Sequence, residues 1–176
     1  MQHTILEAAK AEFLRYGFRK TSMEGIARAA GVAKATVYAR FKTKPVVFDA
    51  VCAAQSERVA RLAREAAATE DDPCRAAAAS MLAKFTAVYE VVERSPHAAE
   101  LIEASLDTSH AETQRAHDAY VEEIAALLRR GLGLKKKKSV ALAEVAELAC
   151  EGVLRKGNSR DEVTANLTLL LERLFS

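Results

Sequence analysis

The sequence predicts an all-α protein, and its composition, hydrophobic periodicity and capping residues each support that fold class. Half of the 176 residues are hydrophobic, whereas the chain has only seven glycines and three prolines. Apolar residues recur at helical spacing along most of the chain, and no segment sustains the alternation expected of a half-buried strand. We therefore expect about nine helices, grouped as a three-helix N-terminal domain at residues 1–45 and a helical body at residues 46–176.

A first amphipathic helix is predicted from about residue 3 to residue 16. Ile5, Ala9 and Phe13 recur every four residues, which gives this helix one inward-facing apolar stripe. Gly17 is expected to end the helix, because glycine readily takes the backbone conformation that follows a helix.

Residues 21–41 are predicted to form two short helices joined by a tight turn. Thr21 and Glu24 have the spacing of a capping box, which would start the second helix. Gly31 supplies the left-handed position between the helices, and the third helix is expected at about residues 33–41. Each helix carries an apolar stripe, formed by Met23, Ile26, Ala27 and Ala30 in one and by Val32, Val37 and Phe41 in the other. This arrangement is typical of a DNA-reading helix-turn-helix.

The distribution of charge favours the same interpretation. Residues 1–45 contain nine lysines and arginines against three glutamates, whereas the rest of the chain has 17 basic and 21 acidic side chains. A basic end on an acidic body suits a protein that docks one end on nucleic acid phosphates. Charge by itself would favour a merely solvated surface, so the inference of DNA binding depends on the coincidence of this charge with the turn motif.

Six further helices are predicted in the body from its prolines and capping residues. A polar residue just before a proline-containing first turn marks three of the helix starts, at Thr43, Asp72 and Ser95. Ser159 and Glu162 form a capping box before the last helix. The expected helices span about residues 45–68, 73–94, 96–106, 109–130, 139–157 and 160–175, and the lysine-rich residues 131–138 are expected to form a flexible connection.

Several classes of protein are disfavoured by the residues present. No apolar run approaches the roughly 20 residues that a membrane span requires, and the N-terminus begins as an amphipathic helix instead of a secretion signal. Cys52, Cys74 and Cys150 are too few and too dispersed for a disulfide framework or a zinc motif, which favours a reducing cytoplasm. We expect no catalytic centre and no cofactor, because the sequence matches no catalytic triad, phosphate-binding glycine loop or metal-ligand motif.

The N-terminal quarter of the chain carries a specific pattern of residues. It comprises residues 5–17 together with Thr21, Ser22, Ile26, Ala27, Ala30, Gly31, Val32, Lys34, Thr36, Val37, Tyr38, Phe41 and Lys44. This pattern resembles the DNA-binding domain of the TetR (tetracycline repressor) family of bacterial regulators. The resemblance implies a homodimer that binds a palindromic operator in double-stranded DNA, with a helical ligand-binding and dimerisation body that shifts the DNA-binding heads. It thereby implies a repressor released from its operator by a small-molecule inducer.

Three alanines and a short N-terminal segment depart from the family pattern. The family often has serine at the position of Ala33, glycine at that of Ala35 and a larger polar residue at that of Ala39. Loss of a serine cap lowers helix stability by about 0.5–2 kcal/mol. Basic residues ahead of the first helix are nearly absent, so minor-groove contacts from an N-terminal arm are in doubt.

The side chains expected to contact DNA lie on the third helix and beside it. Lys34 can donate to guanine, and the methyl groups of Ala35 and Ala39 can contact thymine methyls. The hydroxyls of Thr36 and Tyr38 can donate to phosphate oxygens, although Tyr38 could instead be a packing aromatic. The remaining candidates for DNA contact are Thr21, Ser22, Arg40, Lys42 and Lys44, of which Arg40 and Lys42 could be solvated cations.

The last two helices carry wide apolar faces, which a second copy of the chain could cover. The expected dimer interface comprises Leu148, Val153, Val163, Leu167, Leu170, Leu171 and Leu174. Two such pairs of helices would form a four-helix bundle around a two-fold axis. The alternative is that these faces are buried within one chain.

A small apolar or amphipathic ligand is expected to bind among the middle helices. The candidate pocket residues are Met81, Phe85, Tyr89, Val92, Leu101, Ser105, His117, Tyr120 and Ile124. Each of them taken singly is more often ordinary core. His97, His110 and His117 make metal sensing conceivable, but they do not have the spacing of a tight ligand set.

Three other functions remain open at the level of the sequence. The same architecture would serve an activator or a constitutive DNA-binding protein. A helical enzyme is a second possibility, disfavoured by the missing catalytic motifs. A protein-interaction module whose head has lost DNA binding is the third, which the uncapped third helix keeps open.

Overall fold

The computed structural model confirms an all-α fold. It describes the backbone of residues 1–93, 95–108 and 110–176 and, within them, every side chain except those of Val92, Ile102 and residues 105–113. The helices in this part of the chain are α1 (Gln2–Lys20), α2 (Met23–Ala29), α3 (Lys34–Arg40), α4 (Lys44–Ala67), α5 (Pro73–Glu93), α6 (Ala98–Thr108), α7 (His110–Leu132), α8 (Lys136–Lys156) and α9 (Arg160–Leu174). None of these helices, over the residues described, combines the length and hydrophobicity that crossing a bilayer requires.

The chain packs as two compact units. The first contains residues 1–57 and 91–111, and the second contains residues 58–90 and 112–176. The predicted DNA-binding domain, residues 1–45, therefore lies within the first unit, which also includes the start of α4 and all of α6. The division expected after residue 45 falls inside α4, a continuous helix that contributes residues to both units.

The core of the first unit is formed by α1, α2, α3 and the first turns of α4. Its buried members are Ile5, Ala9, Phe13, Met23, Ile26, Ala27, Val37, Phe41, Val47 and Phe48. The ring of Phe48 packs edge to face against those of Phe13 and Phe18, each at a centroid distance of 5.0 Å. The stripes predicted on the first three helices thus face one another, and this packing fixes where α3 lies.

Helical geometry breaks at Gly17, as the sequence predicts, but α1 resumes for one further turn. Gly17 has φ +79° and ψ 169°, and a methyl group there would collide with the Glu100 carboxylate. Glu100 accepts a hydrogen bond from the backbone N–H of Arg19 at 2.7 Å, and Ser95 donates to the carbonyl of Leu14 at 2.8 Å. Side chains from α6 and from the segment just before it therefore hold the end of α1.

The predicted N-caps of α5 and α9 are confirmed. The Asp72 carboxylate accepts from the backbone N–H of Arg75 at 2.9 Å. The Ser159 hydroxyl accepts from the N–H of Glu162 at 3.2 Å, and the Glu162 carboxylate accepts in return from the N–H of Asn158 at 3.1 Å. These are local signals, so they could be read from the sequence.

The predicted start of α8 is wrong. The helix begins at Lys136, three residues before the expected cap, so part of the expected flexible connection is helical. Ser139 is fully buried within the first turn and donates to the carbonyl of Lys136 at 2.8 Å. Lysine is a good helix former, and Gly133 at φ +65° already supplies the break after α7. The expected end of α5 near Arg94 and start of α7 near Ser109 lie outside the described residues.

The core of the second unit is formed by α5, α7, α8 and α9. Its members are Ala77, Met81, Phe85 and Tyr89 from α5; Val121, Ile124, Ala125 and Leu128 from α7; Ala143, Ala146 and Cys150 from α8; and Val163, Leu167, Leu171 and Phe175 from α9 and its end. Four helices that each contribute one apolar stripe bury a continuous interior, which is the arrangement of a helical bundle.

This core corrects part of the predicted dimer interface. Val163, Leu167 and Leu171 are at most 1% exposed within a single chain, so they have no surface left for a second copy. The hydrophobic faces of α8 and α9 partly bury one another, which was the alternative interpretation of the pattern. Leu148 remains 68% exposed. The other three predicted interface residues, Val153, Leu170 and Leu174, are half-buried against the core.

Candidate nucleic-acid interface

The turn between α2 and α3 is closed by Gly31. Its φ of +66° is the left-handed conformation that side chains disfavour, and a Cβ there would meet no atom within 4 Å. The N–H of Gly31 donates to the carbonyl of Arg28 at 3.2 Å, and that of Val32 donates to the carbonyl of Ala27 at 3.0 Å. Backbone conformation alone therefore requires glycine, and the predicted turn is confirmed.

One side of α3 is buried and the other faces solvent. Val37 is fully buried and Phe41, which follows the helix, is 5% exposed. The residues on the remaining faces are Lys34, Ala35, Ala39 and Arg40, which are exposed, and Thr36 and Tyr38, which are half-buried. The buried side of the helix fixes its position, and the opposite side presents a small, polar and cationic surface to solvent.

Lys34 forms an ion pair that the sequence did not reveal. Its ammonium group contacts the carboxylate of Glu24 on α2 and lies 5.5 Å from the centroid of the Tyr38 ring. The hydrogen bond from Lys34 lowers the pKa of Glu24, and the same bond raises the pKa of Lys34. More than half of each side chain is exposed, so water screens the pair and a base edge can compete for the ammonium group.

Lys44 holds the end of α1. Its ammonium group donates to the backbone carbonyls of Phe18 at 2.9 Å and of Arg19 at 3.1 Å, and it lies 4.7 Å from the centroid of the Phe18 ring. These carbonyls come from the last turn of α1, where intrahelical partners are missing. Two of the three donors on Lys44 are therefore engaged within the protein, in addition to any contact with phosphate.

The structure separates the roles of the two neighbouring hydroxyls, Thr21 and Ser22. Thr21 is 3% exposed and donates to the carbonyl of Gly17 at 2.7 Å, so its side chain is unavailable to phosphate. Ser22 is exposed and is the actual N-cap of α2, where its hydroxyl oxygen accepts from the N–H of Gly25 at 3.1 Å. The capping box predicted at Thr21 and Glu24 is therefore wrong by one residue.

The start of α3 has no side-chain cap. Ala33 has the extended φ and ψ of an N-cap residue, −64° and 144°, but its side chain carries no acceptor for the N–H groups of the first turn. The remaining predicted cations, Arg40 and Lys42, are both exposed. Apart from Thr21, the predicted DNA-contacting side chains thus retain solvent access on α3 and at its flanks.

The predicted ligand-pocket residues do not share one core. Met81, Phe85, Tyr89, Tyr120 and Ile124 belong to or pack against the core of the second unit. Leu101 packs against the core of the first unit, and His117 is exposed. The side chains of Val92 and Ser105 lie outside the described residues, as does that of His110.

A buried charged cluster in the second unit was missed by the sequence analysis. The carboxylate of Glu147 on α8, which is 6% exposed, pairs with the ammonium group of Lys84 on α5. Its second oxygen lies 3.1 Å from Nδ1 of His117 on α7. The available signal was the register of Glu147, which directly follows Ala146 and lies three residues before Cys150, both fully buried. No group of three or more metal-binding side chains occurs among the residues that the structure describes.

Comparison with known sequences identifies the N-terminal region. Residues 5–51 match the sequence profile of bacterial regulatory proteins of the tetR family. A 47-residue segment, 27% of this chain, is 43% identical to an uncharacterized HTH-type transcriptional regulator, YhgD, from Bacillus subtilis (strain 168). That segment spans a quarter of the length of the curated relative.

Comparison with solved structures extends the likeness to the whole fold. A TetR family transcriptional regulator, PfmR, from Thermus thermophilus superposes with a TM-score of 0.69 at 20% identity, covering 97% of this chain and 96% of that one. SmeT, described as the repressor of the Stenotrophomonas maltophilia multidrug efflux pump SmeDEF, gives 0.65 at 21% identity, covering 99% and 88%. The N-terminal match and the glycine turn agree that residues 5–51 carry the DNA-binding pattern of the tetR family, and the whole chain shares the helical fold of these regulators.

Proposed function

We propose that the protein is a DNA-binding transcriptional regulator that reads the major groove with α3. The observation that carries this proposal is the anchoring of α3 by fully buried Val37, with a small, polar and cationic face left to solvent. A helix held in this way by a preceding helix and a tight turn is the reading element of a helix-turn-helix. Such a protein would act in the cytoplasm, where bacterial DNA is found.

The exposed side chains divide into two groups by their chemistry. We assign contacts with base edges to Lys34, Ala35 and Ala39, because an ammonium donor and two methyl groups match guanine and thymine edges. We assign contacts with phosphate to Ser22, Thr36, Tyr38, Arg40 and Lys42. Lys44 is assigned to holding the last turn of α1, from which its third donor can still reach a phosphate.

Fluorescence anisotropy with duplex DNA from upstream of the protein's own gene tests these assignments. Lys34→Ala should reduce the preference for this duplex over a scrambled one by about 1–3 kcal/mol, because it removes a base contact. Tyr38→Phe should weaken binding to both duplexes alike, and Lys42→Ala should lower the slope of affinity against salt concentration by about one. Failure of the wild-type protein to bind any duplex would contradict the function.

Arg61→Ala is the matched control for the cationic variants. Arg61 is an exposed arginine in the second unit and pairs with Glu65 in the same helix, so its loss removes one charge away from the proposed interface. This variant should bind both duplexes as the wild type does. Equal losses in Arg61→Ala and Lys42→Ala would show that only net charge matters and would contradict the assigned phosphate contact.

We further propose that the regulator is a homodimer that binds a palindromic operator. Three apolar side chains on α8 and α9 support this proposal, because Val145, Leu148 and Leu169 are 55%, 68% and 57% exposed in the single chain. Two-fold symmetry of the protein would then require two half-sites related by the same symmetry. Footprinting of the upstream DNA should accordingly protect an inverted repeat.

Repression relieved by a small molecule is the mode of regulation that we propose. It is supported by the tetR family match over residues 5–51 and by the likeness in fold to SmeT, which is described as a repressor. A ligand that binds one conformation of the second unit more tightly would lower operator affinity by that difference in binding free energy. Transcription in vitro from the upstream promoter separates the alternatives, because a repressor lowers the transcript yield whereas an activator raises it.

A further inference from the structure

The ammonium group of Lys84 occupies a cage in the second unit. It contacts the carboxylate of Glu147, lies 3.8 Å from the centroid of the Tyr120 ring and lies 5.2 Å from that of the Phe85 ring. The walls come from α5, α7 and α8, and both rings belong to or pack against the core of this unit. A carboxylate combined with aromatic ring faces is the chemistry that recognises organic ammonium ions.

The walls of this cage are fixed and its occupant is not. Glu147 is 6% exposed in the middle of α8, Phe85 is 4% exposed, and the Tyr120 hydroxyl lies 3.4 Å from that of Ser80. The side chain of Lys84 is 21% exposed and has four rotatable bonds, so it can withdraw towards solvent. The cation is therefore the member of the cluster that a ligand can replace.

The buried carboxylate of Glu147 favours a cation beside it. One of its oxygens is buried with no hydrogen-bond donor other than Nδ1 of His117 near it among the described residues. A buried charge that loses its partner is strongly destabilising, so departure of Lys84 favours entry of another positive group. The faces of the Phe85 and Tyr120 rings favour a cation that carries apolar groups against them.

We propose that this cluster is the effector site of the regulator and that its ligand is an apolar organic ammonium ion whose head group displaces Lys84. This inference deepens the ligand-responsive function proposed above. Without ligand, the ion pair between Lys84 and Glu147 joins α5 to α8. With ligand bound, Glu147 pairs with the ligand instead, so the two states of the second unit differ in the contacts that join these helices. The lysine competes as a tethered ion, and the apparent affinity for the ligand equals the intrinsic affinity multiplied by the fraction of time that the lysine leaves the cage empty.

Calorimetric titration of the full-length protein with three probes tests the chemistry of the site. The probes are n-octylammonium, n-octanol and n-octanoate, which share a chain and differ in charge. The wild type should bind n-octylammonium and neither of the others. Equal binding of all three would overturn the proposal, because it would indicate a merely apolar cavity. Binding of 1,4-diaminobutane as tight as that of n-octylammonium would overturn the requirement for an apolar chain.

Two variants assign the binding to the cage. Lys84→Met keeps an apolar stem and removes the competing ion, so it should bind n-octylammonium at least about tenfold more tightly than the wild type. Glu147→Gln removes the negative charge and should bind it at least about tenfold less tightly. Glu65→Gln, which alters an exposed ion pair on α4, should bind as the wild type does. Unchanged binding in Glu147→Gln would overturn the site.

Thermal unfolding covers the case in which Lys84→Met is too unstable for titration. In this variant n-octylammonium should raise the Tm, whereas n-octanol and n-octanoate should not, since only the ammonium ion replaces the positive charge that Lys84 placed beside Glu147. Equal shifts from all three probes would overturn the proposal.

The anisotropy assay separates failure of the site from failure of the regulatory function. Charge-selective binding by a protein that binds no DNA would overturn the regulatory function and, with it, the assignment of an effector site. DNA binding without any charge-selective probe binding would overturn the ammonium site alone.

Discussion

At the scale of single residues, burial decides whether a polar side chain is structural or available for recognition. Thr21 and Ser22 are adjacent and chemically similar, yet one hydroxyl is buried against the carbonyl of Gly17 and the other caps α2 at the surface. These two neighbours along the chain therefore have different roles, although the sequence predicted that both contact DNA.

Thr21→Val tests the structural role of the buried hydroxyl. The substitution keeps the shape of the side chain and removes its hydrogen bond, so the free energy of unfolding should fall by about 1 kcal/mol. DNA affinity of the folded protein should not change, because the side chain does not reach the surface. Urea denaturation and anisotropy measure the two quantities. Ser22→Ala is the matched comparison and should lower both, so an equal loss of DNA affinity in Thr21→Val would contradict its assigned role.

The Cys150 thiol predicts a loss of stability at alkaline pH. Burial, followed by the nearby charge of Glu147, raises the pKa of this thiol from about 9 to about 12. The unfolded thiol ionises first as pH rises, so the unfolded state binds fewer protons and the free energy of unfolding falls through this range. Wild-type protein should lose stability more steeply than Cys150→Ala between about pH 9 and 11, as measured by urea denaturation. Parallel profiles would contradict the raised pKa.

At the scale of secondary-structure elements, caps and glycines place the helix ends. The N–H groups of Gly31 and Val32 close α2 with two backbone hydrogen bonds, and Asp72 and Ser159 open their helices with side-chain acceptors. α3 differs, because Ala33 lies in N-cap geometry without an acceptor. The helix that we propose to read DNA therefore depends on packing behind Val37 more than on local signals.

Ala33→Ser should stabilise α3. The backbone of Ala33 already has N-cap angles, so a serine hydroxyl can accept a hydrogen bond from the first turn without rearrangement. The expected gain is about 1 kcal/mol in the free energy of unfolding. The midpoint of urea denaturation reports it, and Ala35→Ser, an exposed position inside the same helix, is the control that should not stabilise. A gain in both variants would show that the effect is not capping.

At the scale of the whole molecule, the proposed two-fold symmetry depends on apolar surfaces that remain exposed in a single chain. The core of the second unit absorbs the inner stripes of α8 and α9, while Val145, Leu148 and Leu169 remain exposed. We therefore revise the proposed dimer face from the buried leucines of α9 to these exposed side chains. Apolar area of this kind is removed from water when a second copy covers it.

Leu148→Glu should dissociate the proposed dimer. Burying a leucine contributes about 1.5–3 kcal/mol, and two-fold symmetry removes that contribution twice while adding two unpaired charges. Sedimentation equilibrium should show a dissociation constant raised by more than about a hundredfold. Val46→Glu replaces an exposed apolar residue on α4 in the first unit and should leave the oligomeric state unchanged. A wild type that is monomeric at micromolar concentration would contradict the dimer itself.

The features that depend on a few neighbouring residues could be predicted from the sequence without coordinates. Helical periodicity predicted the fold class and the inward stripes of α1 and α3, Gly31 predicted the turn, and Asp72 and Ser159 predicted two helix starts. These signals are local, because a cap or a left-handed glycine acts within one turn of helix. The N-terminal pattern of residues likewise carried the resemblance to the TetR family, and residues 5–51 match that family's profile.

Contacts between side chains on different helices are decided by how the helices pack, and only the tertiary structure shows them. That packing places Glu147 in a buried cluster with Lys84, binds Lys44 to the end of α1, and pairs Lys34 with Glu24. These contacts join residues on different helices, and their existence depends on how those helices pack, which no window of one helix contains. The burial of the inward-facing α9 leucines also depends on packing. The sequence shows that they are apolar, but they are buried within one chain because α5, α7 and α8 surround them.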